Sequence, residues 1–541
     1  LPLRQPLTVH HKAVVRVRVN GREEDSRWVA VQVPAVGPAT AAADFTVLPW
    51  SPGTTHPTEA AAYGERLREI GLNAEFAADP YLMSERAMPG AGYIGGMGMF
   101  RETRWSADGV RPRCLSDPAV RQEIRDQART AAAAQKDHGP FAVGITDEAF
   151  LTSRHRRHEV CFGPHCQARY REWLKELYGD LDTLNREWDS HCDTWEQITG
   201  VRTEDIRGKE NAAPFVDFRQ FMAGVWIEAC REATVAYHEI APRVPVGHTN
   251  TFGVDPFTGN DYWRFFTEVG FGWGQEYSEA IKGSAHKAIF DVWRSFCESP
   301  EARAARVRTG GIAGAPFFNY GWIGYDRRVA AARYEPWWLA LHGARGVSWF
   351  AANALDTERG TSWALVHPSL SFTGYSEAAR DALADLRGGC GKLLMEYERE
   401  TPRVALLWSY PSMLVAWCES TADEPEPDER DGTDSYGTHF RSAFHIRQHL
   451  NELQLDYAYV APAQILARDV LRDYPLLFLP FTVAASSALV DRLTAYVEAG
   501  GTLVGDLRCL RTDEHGKPMA DALALQRLFG VTRRGSVTYA A

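Results

Sequence analysis

Glu148, in the segment Phe141-Ala-Val-Gly-Ile-Thr-Asp-Glu-Ala-Phe150, has the setting in this 541-residue chain that best suits a reactive carboxyl. A short apolar run leads directly into Asp147-Glu148 and reads as a buried strand delivering two carboxyls at its C-terminal end. Other apolar runs close on Gln275-Glu276-Tyr277, on Asn319-Tyr320 (running on to Asp326), and on Asn353, with Asp356 and Glu358 just beyond. Cleavage of a glycosidic bond needs such a polar cluster, one carboxyl kept protonated and another ionised on either side of the bond. A strand-end carboxylate can instead cap the following helix, and that reading weighs more heavily on Glu276 than on Glu148. Aromatic residues are abundant, with 17 Trp, 20 Tyr and 25 Phe. They suit stacking against a pyranose, although a large core uses them as well. Arg113, His248, Asn250, Tyr277, Tyr320, Trp322 and Asn353 are expected to contact substrate. For His248, a satisfied core histidine is an equal alternative.

Strand–helix alternation supplies the frame for these residues. Val9–Val19 and Trp28–Val33 alternate with period two around Asn20-Gly21, a hairpin signal. From Asp44 onward, buried strands are expected at Phe45–Leu48, Asn73–Phe76, Tyr93–Met99, Phe141–Thr146, Val244–Asn250, Val269–Trp273, Ala315–Asn319 and Gly346–Phe350, separated by helix-compatible stretches such as Thr58–Ile70 and Asp117–Lys136. Eight such units predict a (β/α)8 barrel, and no Gly-rich phosphate fingerprint follows the first strand to favour a doubly wound sheet. Alternation restarts past Gly388 with Val404–Trp408, Asp456–Val460, Leu476–Leu479 and Gly501–Gly505, which predicts a flavodoxin-like α/β domain. The expected division is a short β segment over 1–43, a catalytic barrel over 44–387 and the α/β domain over 388–541. The acidic run Thr421–Asp431 reads as a solvated loop.

Composition narrows the partners. The net charge is -11 and no basic stripe carries interleaved aromatics, which argues against nucleic acid. No apolar run is long enough to span a membrane. The chain begins Leu-Pro-Leu-Arg without Met or an apolar leader core, so a leader or upstream domain is expected to be missing or trimmed. Nine scattered cysteines do not read as a disulfide framework and point to a reducing compartment, hence the cytoplasm.

The stretch from Val160-Cys-Phe-Gly-Pro-His-Cys166 through Tyr170-Arg-Glu-Trp-Leu174 and Tyr178-Gly179 to Leu184-Asn-Arg-Glu-Trp188 resembles the segment after the acid/base in the β-galactosidases of glycoside hydrolase family 42. The likeness extends upstream to Arg113-Cys114 and downstream through Thr249-Asn250. Glu498-Ala-Gly-Gly-Thr-Leu-Val504 and Leu528-Phe-Gly-Val531 are similar to that family's trimerisation domain. The resemblance implies a (β/α)8 barrel, a retaining mechanism on a β-linked, galactose-like terminal sugar, and a trimer, with Glu148 as acid/base and no cofactor required. It also implies a structural zinc site, onto which Cys114, Cys161 and Cys166 fall. The fourth cysteine is replaced by Gly163, leaving His155, His158 or His165 as substitutes, or three free thiols.

Two departures from the family matter. Asp147 stands where the family has an Asn that hydrogen-bonds the sugar 2-hydroxyl, and an ionised Asp can only accept. The family's nucleophile position on strand seven falls in Ala315-Pro-Phe-Phe-Asn-Tyr-Gly-Trp322, which has no carboxylate. Glu276 beside its stacking aromatics, Asp326 from the following loop, or a substrate acetamido group oriented by Asp147 could take that role. The last resembles family 20 hexosaminidases and makes a 2-acetamido sugar the alternative substrate. A catalytically inactive carbohydrate-binding barrel is the alternative of another class.

Overall fold

Short runs of β-branched and aromatic residues flanked by helix formers suit a sheet covered by helices, and here they assemble in parallel. The computed structural model describes residues 9–33, 44–50, 57–76, 90–101, 108–136, 140–152, 158–249, 256–277, 285–324, 328–352, 364–367, 369–419, 437–506, 508–519 and 523–531. The antiparallel hairpin β1 (Val9–Val19) and β2 (Arg22–Val33) turns at Asn20-Gly21, both with positive φ (52° and 80°), as expected of that dipeptide.

Eight parallel strands follow: β3 (Thr46–Pro49), β4 (Glu75–Phe76), β5 (Gly90–Tyr93), β6 (Ala142–Asp147), β7 (Val246–Thr249), β8 (Trp273–Tyr277), β9 (Phe318–Ile323) and β10 (Gly346–Trp349). They pair in the order β3-β10-β9-β8-β7-β6-β5-β4. The seam closes where Trp50 bridges Phe76 and where the Asn73 and Ala74 amides donate to the Val47 carbonyl. The (β/α)8 barrel is thereby realised. Three strand positions differ from expectation. Of Tyr93–Met99 only Tyr93 is strand, because Gly96 takes φ 82° and Met97–Phe100 forms a helical turn. Strand six starts at Trp273, after a π-helical turn over Phe265–Val269 that Gly270 ends at φ 75°. Strand seven starts at Phe318, past Gly314 (φ 75°) and Pro316, which has no amide to donate.

Leu48, Ala74, Phe76, Ala91, Ala142, Trp273, Phe318 and Tyr320 fill the lumen, with Trp50 and Tyr93 packed against them. Glycine makes room for these rings. A Cβ on Gly247 would lie 2.1 Å from the Trp273 carbonyl oxygen and 2.9 Å from its ring. Gly247→Ala is therefore expected to destabilise the barrel by about 3 kcal/mol, read as an earlier first transition in urea. An unchanged midpoint would show that the wall yields.

The second parallel sheet comprises β11 (Val404–Leu407), β12 (Tyr457–Val460), β13 (Leu476–Leu479) and β14 (Thr502–Gly505), in the order β12-β11-β13-β14. This is the flavodoxin-like arrangement. The Gly374–Asp385 helix leads toward it through Leu386–Cys390, where Gly389 breaks the helix at φ 137°. The two sheets share an apolar interior in which Phe257 and Trp263 join Trp408 and Trp417. Polar links cross the same junction: His515 Nδ1 lies 2.7 Å from Asp217 Oδ1, and Arg294 donates to the Tyr457 carbonyl at 2.9 Å. Burial opposes the charge on His515, but the Asp217 carboxylate outweighs it and raises the imidazole to about 9. A raised pKa stabilises the fold fully below the unfolded value of 6.5, and the contribution fades as pH rises through about 9. His515→Gln is expected to remove this pH dependence, so wild type and variant should converge in unfolding midpoint above that pH. A gap that persists unchanged from pH 6 to 10 would refute the linkage. No helix among the described residues is long and apolar enough to cross a membrane.

Candidate active site

The last turn of β6 decides where the two carboxyls go. Gly144 faces the lumen, since a Cβ there would meet the Tyr93 ring at 3.0 Å and Thr249 at 3.2 Å. The β6–β7 register then shifts between Gly144 and Asp147, so that Asp147 pairs with Thr249. This irregularity returns Asp147 to the lumen side, where Tyr93 Oη donates to Oδ1 at 2.8 Å. Glu148 follows at φ 49°, a left-handed conformation rare outside glycine. The residue is only 5% exposed.

Arg101, the residue after the Met97–Phe100 turn, ties the pair together. Its Nη1 donates to Asp147 Oδ2 at 3.0 Å and its Nη2 to Glu148 Oε2 at 2.7 Å. Buried Arg111 holds both sides of this clamp. Its Nε donates to the Leu151 carbonyl at 3.1 Å, and its terminal nitrogens donate to the Arg113 and Met99 carbonyls. The Phe150 amide reaches the Phe100 carbonyl at 2.9 Å, so the Arg101 and Glu148 loops are sewn to each other. Burial, then the neighbouring Asp147, pushes the Tyr93 hydroxyl well above its usual pKa, so it remains a donor. Beneath lies an aromatic floor. Trp50 stacks on Phe76 at 5.3 Å and approaches Trp322 at 6.1 Å, and Phe76 meets Tyr93 edge-on at 4.9 Å.

The other expected residues fall in different places. Trp322 belongs to the floor and is buried. Tyr320 lies lower in the lumen, against Phe141 at 6.1 Å. Arg113 is ion-paired to Glu123 at 3.3 Å. His248 is on the helix-facing side of β7, its ring edge-on to Phe265 at 5.4 Å and Phe271 at 5.9 Å. Burial lowers that imidazole to about 3, so it is neutral. On β8, Trp273 and Gln275 face the lumen, the latter donating to Ser348 Oγ. A Cβ on Gly274 would strike Trp293 of the outer layer. Alternation therefore turns Glu276, fully buried, toward the helices. Tyr277 ends β8. Asn250, Asp326, Asn353, Asp356 and Glu358 lie outside the described residues, as do His155 and Thr421–Asp431. Arg101 and Arg111 were not singled out from sequence. Their one signal was an arginine on either side of a break in the strand pattern.

The three cysteines do converge. Cys114 Sγ is 3.6 Å from Cys166 Sγ and 3.8 Å from Cys161 Sγ, all are buried, and the three sulfurs lie within 4.8 Å of one another. Among the described residues no histidine nitrogen or carboxylate oxygen joins the set. His165 turns instead toward Asp117, at 3.7 Å. The S–H groups of Cys114 and Cys166 lower the Cys161 thiol far below its usual value, and Cys166 is pushed up. Three soft donors at this spacing could hold a metal ion.

A family model described as β-galactosidase, that of glycoside hydrolase family 42, matches residues 101–305. The β-galactosidase BglY of Alicyclobacillus acidocaldarius is 23% identical over 415 residues, covering 73% of this chain and 54% of BglY. The β-galactosidase BgaA of a Planococcus species is 24% identical over 168 residues, covering 29% of this chain and 23% of BgaA. The chain thus spans about half the length of the first of these curated relatives, or less. Among solved structures, the β-galactosidase from Bacillus circulans sp. alkalophilus superposes with TM-score 0.67 at 14% identity, over 90% of this chain and 74% of its own. That from Rahnella sp. R3 gives 0.66 at 15% identity, over 90% and 75%. These two likenesses concern the fold.

Proposed function

We propose that the chain, which is similar to β-galactosidases of glycoside hydrolase family 42, is a retaining glycosidase acting on a β-linked, galactose-like terminal sugar. The observation that carries this reading is the buried Glu148 carboxyl at the C-terminal end of the fourth barrel strand, 2.7 Å from Arg101. Glu148 protonates the departing glycosidic oxygen and then, as carboxylate, draws a proton from the water that releases the sugar. Arg101 and Tyr93 hold Asp147 beside it, and Trp50 offers an aromatic face. Asn250, Tyr277 and Asn353, which by sequence end or follow β7, β8 and β10, are the proposed hydroxyl contacts. Glu276 or Asp326 is the candidate nucleophile; Glu276 sits on the helix-facing side of β8, and Asp326 lies outside the described residues.

Asp147 beside Glu148 and a β9 without a carboxylate favour a second reading, in which a substrate acetamido group attacks its own anomeric carbon. A panel of aryl glycosides separates the two. Preferential cleavage of β-galactosides is expected, and preference for N-acetyl-β-hexosaminides would transfer the assignment. Binding of galactosides without turnover of any of them would instead mark a carbohydrate-binding barrel. We infer further that residues 1–43 form a β segment, 44–387 the catalytic barrel and 388–541 an α/β domain, the last two packed through a shared apolar interior. The last would assemble a trimer, the protein would act in the cytoplasm, and the Cys114, Cys161 and Cys166 cluster would hold a structural zinc ion.

A further inference from the structure

The metal reading of the thiol cluster leaves open how the ion's coordination is completed. Three sulfurs bonded at about 2.3 Å at the corners of a tetrahedron stand roughly 3.8 Å apart. The Cys114–Cys166 and Cys114–Cys161 separations of 3.6 and 3.8 Å match that edge, and are far longer than a disulfide bond of about 2.05 Å. Two edges of a tetrahedral site are therefore in place before any ion arrives, and the third pair of sulfurs lies within 4.8 Å.

Gly163 adjoins one of the three sulfurs. A Cβ there would lie 3.3 Å from Cys161 Sγ and 3.3 Å from Val110 Cγ1, so a side chain at this position would start beside the cluster. In this chain it is a hydrogen. Gly163 has φ -67° and ψ 153°, an extended conformation open to any residue, so no backbone requirement explains the glycine. Ser116 Oγ, 3.1 Å from Cys166 Sγ, is placed to donate to a thiolate, which accounts for the hydroxyl without making it a ligand. The Pro164–Tyr178 helix begins immediately after Gly163, and its N-terminus favours negative sulfur.

We propose that Cys114, Cys161 and Cys166 form a three-thiolate site in which a soft divalent ion keeps its fourth position for an exchangeable small ligand (water or an added thiol) rather than a protein group. This rests on the reading that the cluster binds metal. A closed four-cysteine site has no such vacancy, so ligand exchange at the ion is the property that distinguishes this chain.

Cobalt(II) titration of the reduced, metal-free full chain tests it, because thiolate-to-cobalt absorption grows with each Co–S bond. One ion per chain is expected, with the intensity of three Co–S bonds, rising toward that of four when 2-mercaptoethanol is added. Gly163→Cys should show the four-sulfur spectrum without added thiol, and should hold zinc at least about tenfold more tightly against a chromophoric chelator. Cys161→Ser should abolish the absorption. A wild-type spectrum that ignores added thiol would overturn the open position while leaving the metal site standing. If neither cobalt nor zinc binds, and Cys114, Cys161 and Cys166 react independently with a thiol reagent, the metal reading itself falls. The added-thiol arm needs only wild type, so the test survives a Gly163→Cys protein that fails to fold.

Discussion

Glu148→Gln is expected to lower kcat/KM on aryl β-galactosides by about 10²–10⁴, with the largest loss on the poorest leaving groups. Glutamine keeps the shape and still accepts the Arg101 hydrogen bond, which in wild type is 2.7 Å long, so the loop should stay in place. What disappears is the proton. A nitrophenolate leaves without assistance and an alkyl alkoxide does not, so the variant should acquire a steep dependence on leaving-group basicity where wild type has a shallow one. An unchanged rate across the series would remove Glu148 from the chemistry. Equal losses on all substrates, with raised KM throughout, would make it a binding residue.

Asp217→Ala should produce the largest loss of stability, about 3–5 kcal/mol. The Asp217 carboxylate is fully buried and accepts from Tyr178 Oη at 2.6 Å and Trp188 Nε1 at 2.8 Å, with His515 Nδ1 at 2.7 Å on its other oxygen. Alanine would strand three buried or half-buried donors and leave His515 charged against nothing. Chemical unfolding followed by tryptophan fluorescence measures the effect. A loss below about 1 kcal/mol would mean that the site collapses onto water at little cost. The same cluster accounts for part of the family-like segment in physical terms. Tyr178 of its Tyr-Gly pair and Trp188 at its end both point their donors at one carboxylate on the Ala213–His238 helix, which also meets His515 of the C-terminal part.

Local periodicity was enough to count the barrel strands, because each is a short apolar run between helices. Their frames were harder to read. Tyr93–Met99, Val269–Trp273 and Ala315–Asn319 are apolar or Gly-rich throughout, so no polar alternation marked where pairing begins, and positive-φ glycines set the true boundaries. The frame matters because one residue of slip exchanges lumen for outer face. Glu276 and His248 stood at expected strand ends, with a core histidine the equal reading of His248, and alternation from Trp273 and Gly247 turns both outward. Asp147 reaches the lumen only through a register shift that nothing in Ile145-Thr146 announces. Arg101 and Arg111 act on residues some forty positions away, a relation made by strand adjacency and not by spacing. The cysteine cluster was legible, since 114, 161 and 166 flank two helix starts that the fold brings together.

The central claim, that Glu148 is the acid/base of a retaining glycosidase, is tested most directly by azide rescue. Glu148→Ala opens space where water is normally directed at the glycosyl-enzyme and removes the carboxylate that would repel an anion. With an activated aryl β-galactoside, added azide should restore turnover, and proton NMR of the product should show β-galactosyl azide. An α-configured azide, or turnover that azide leaves unchanged with free galactose as the product, would contradict it.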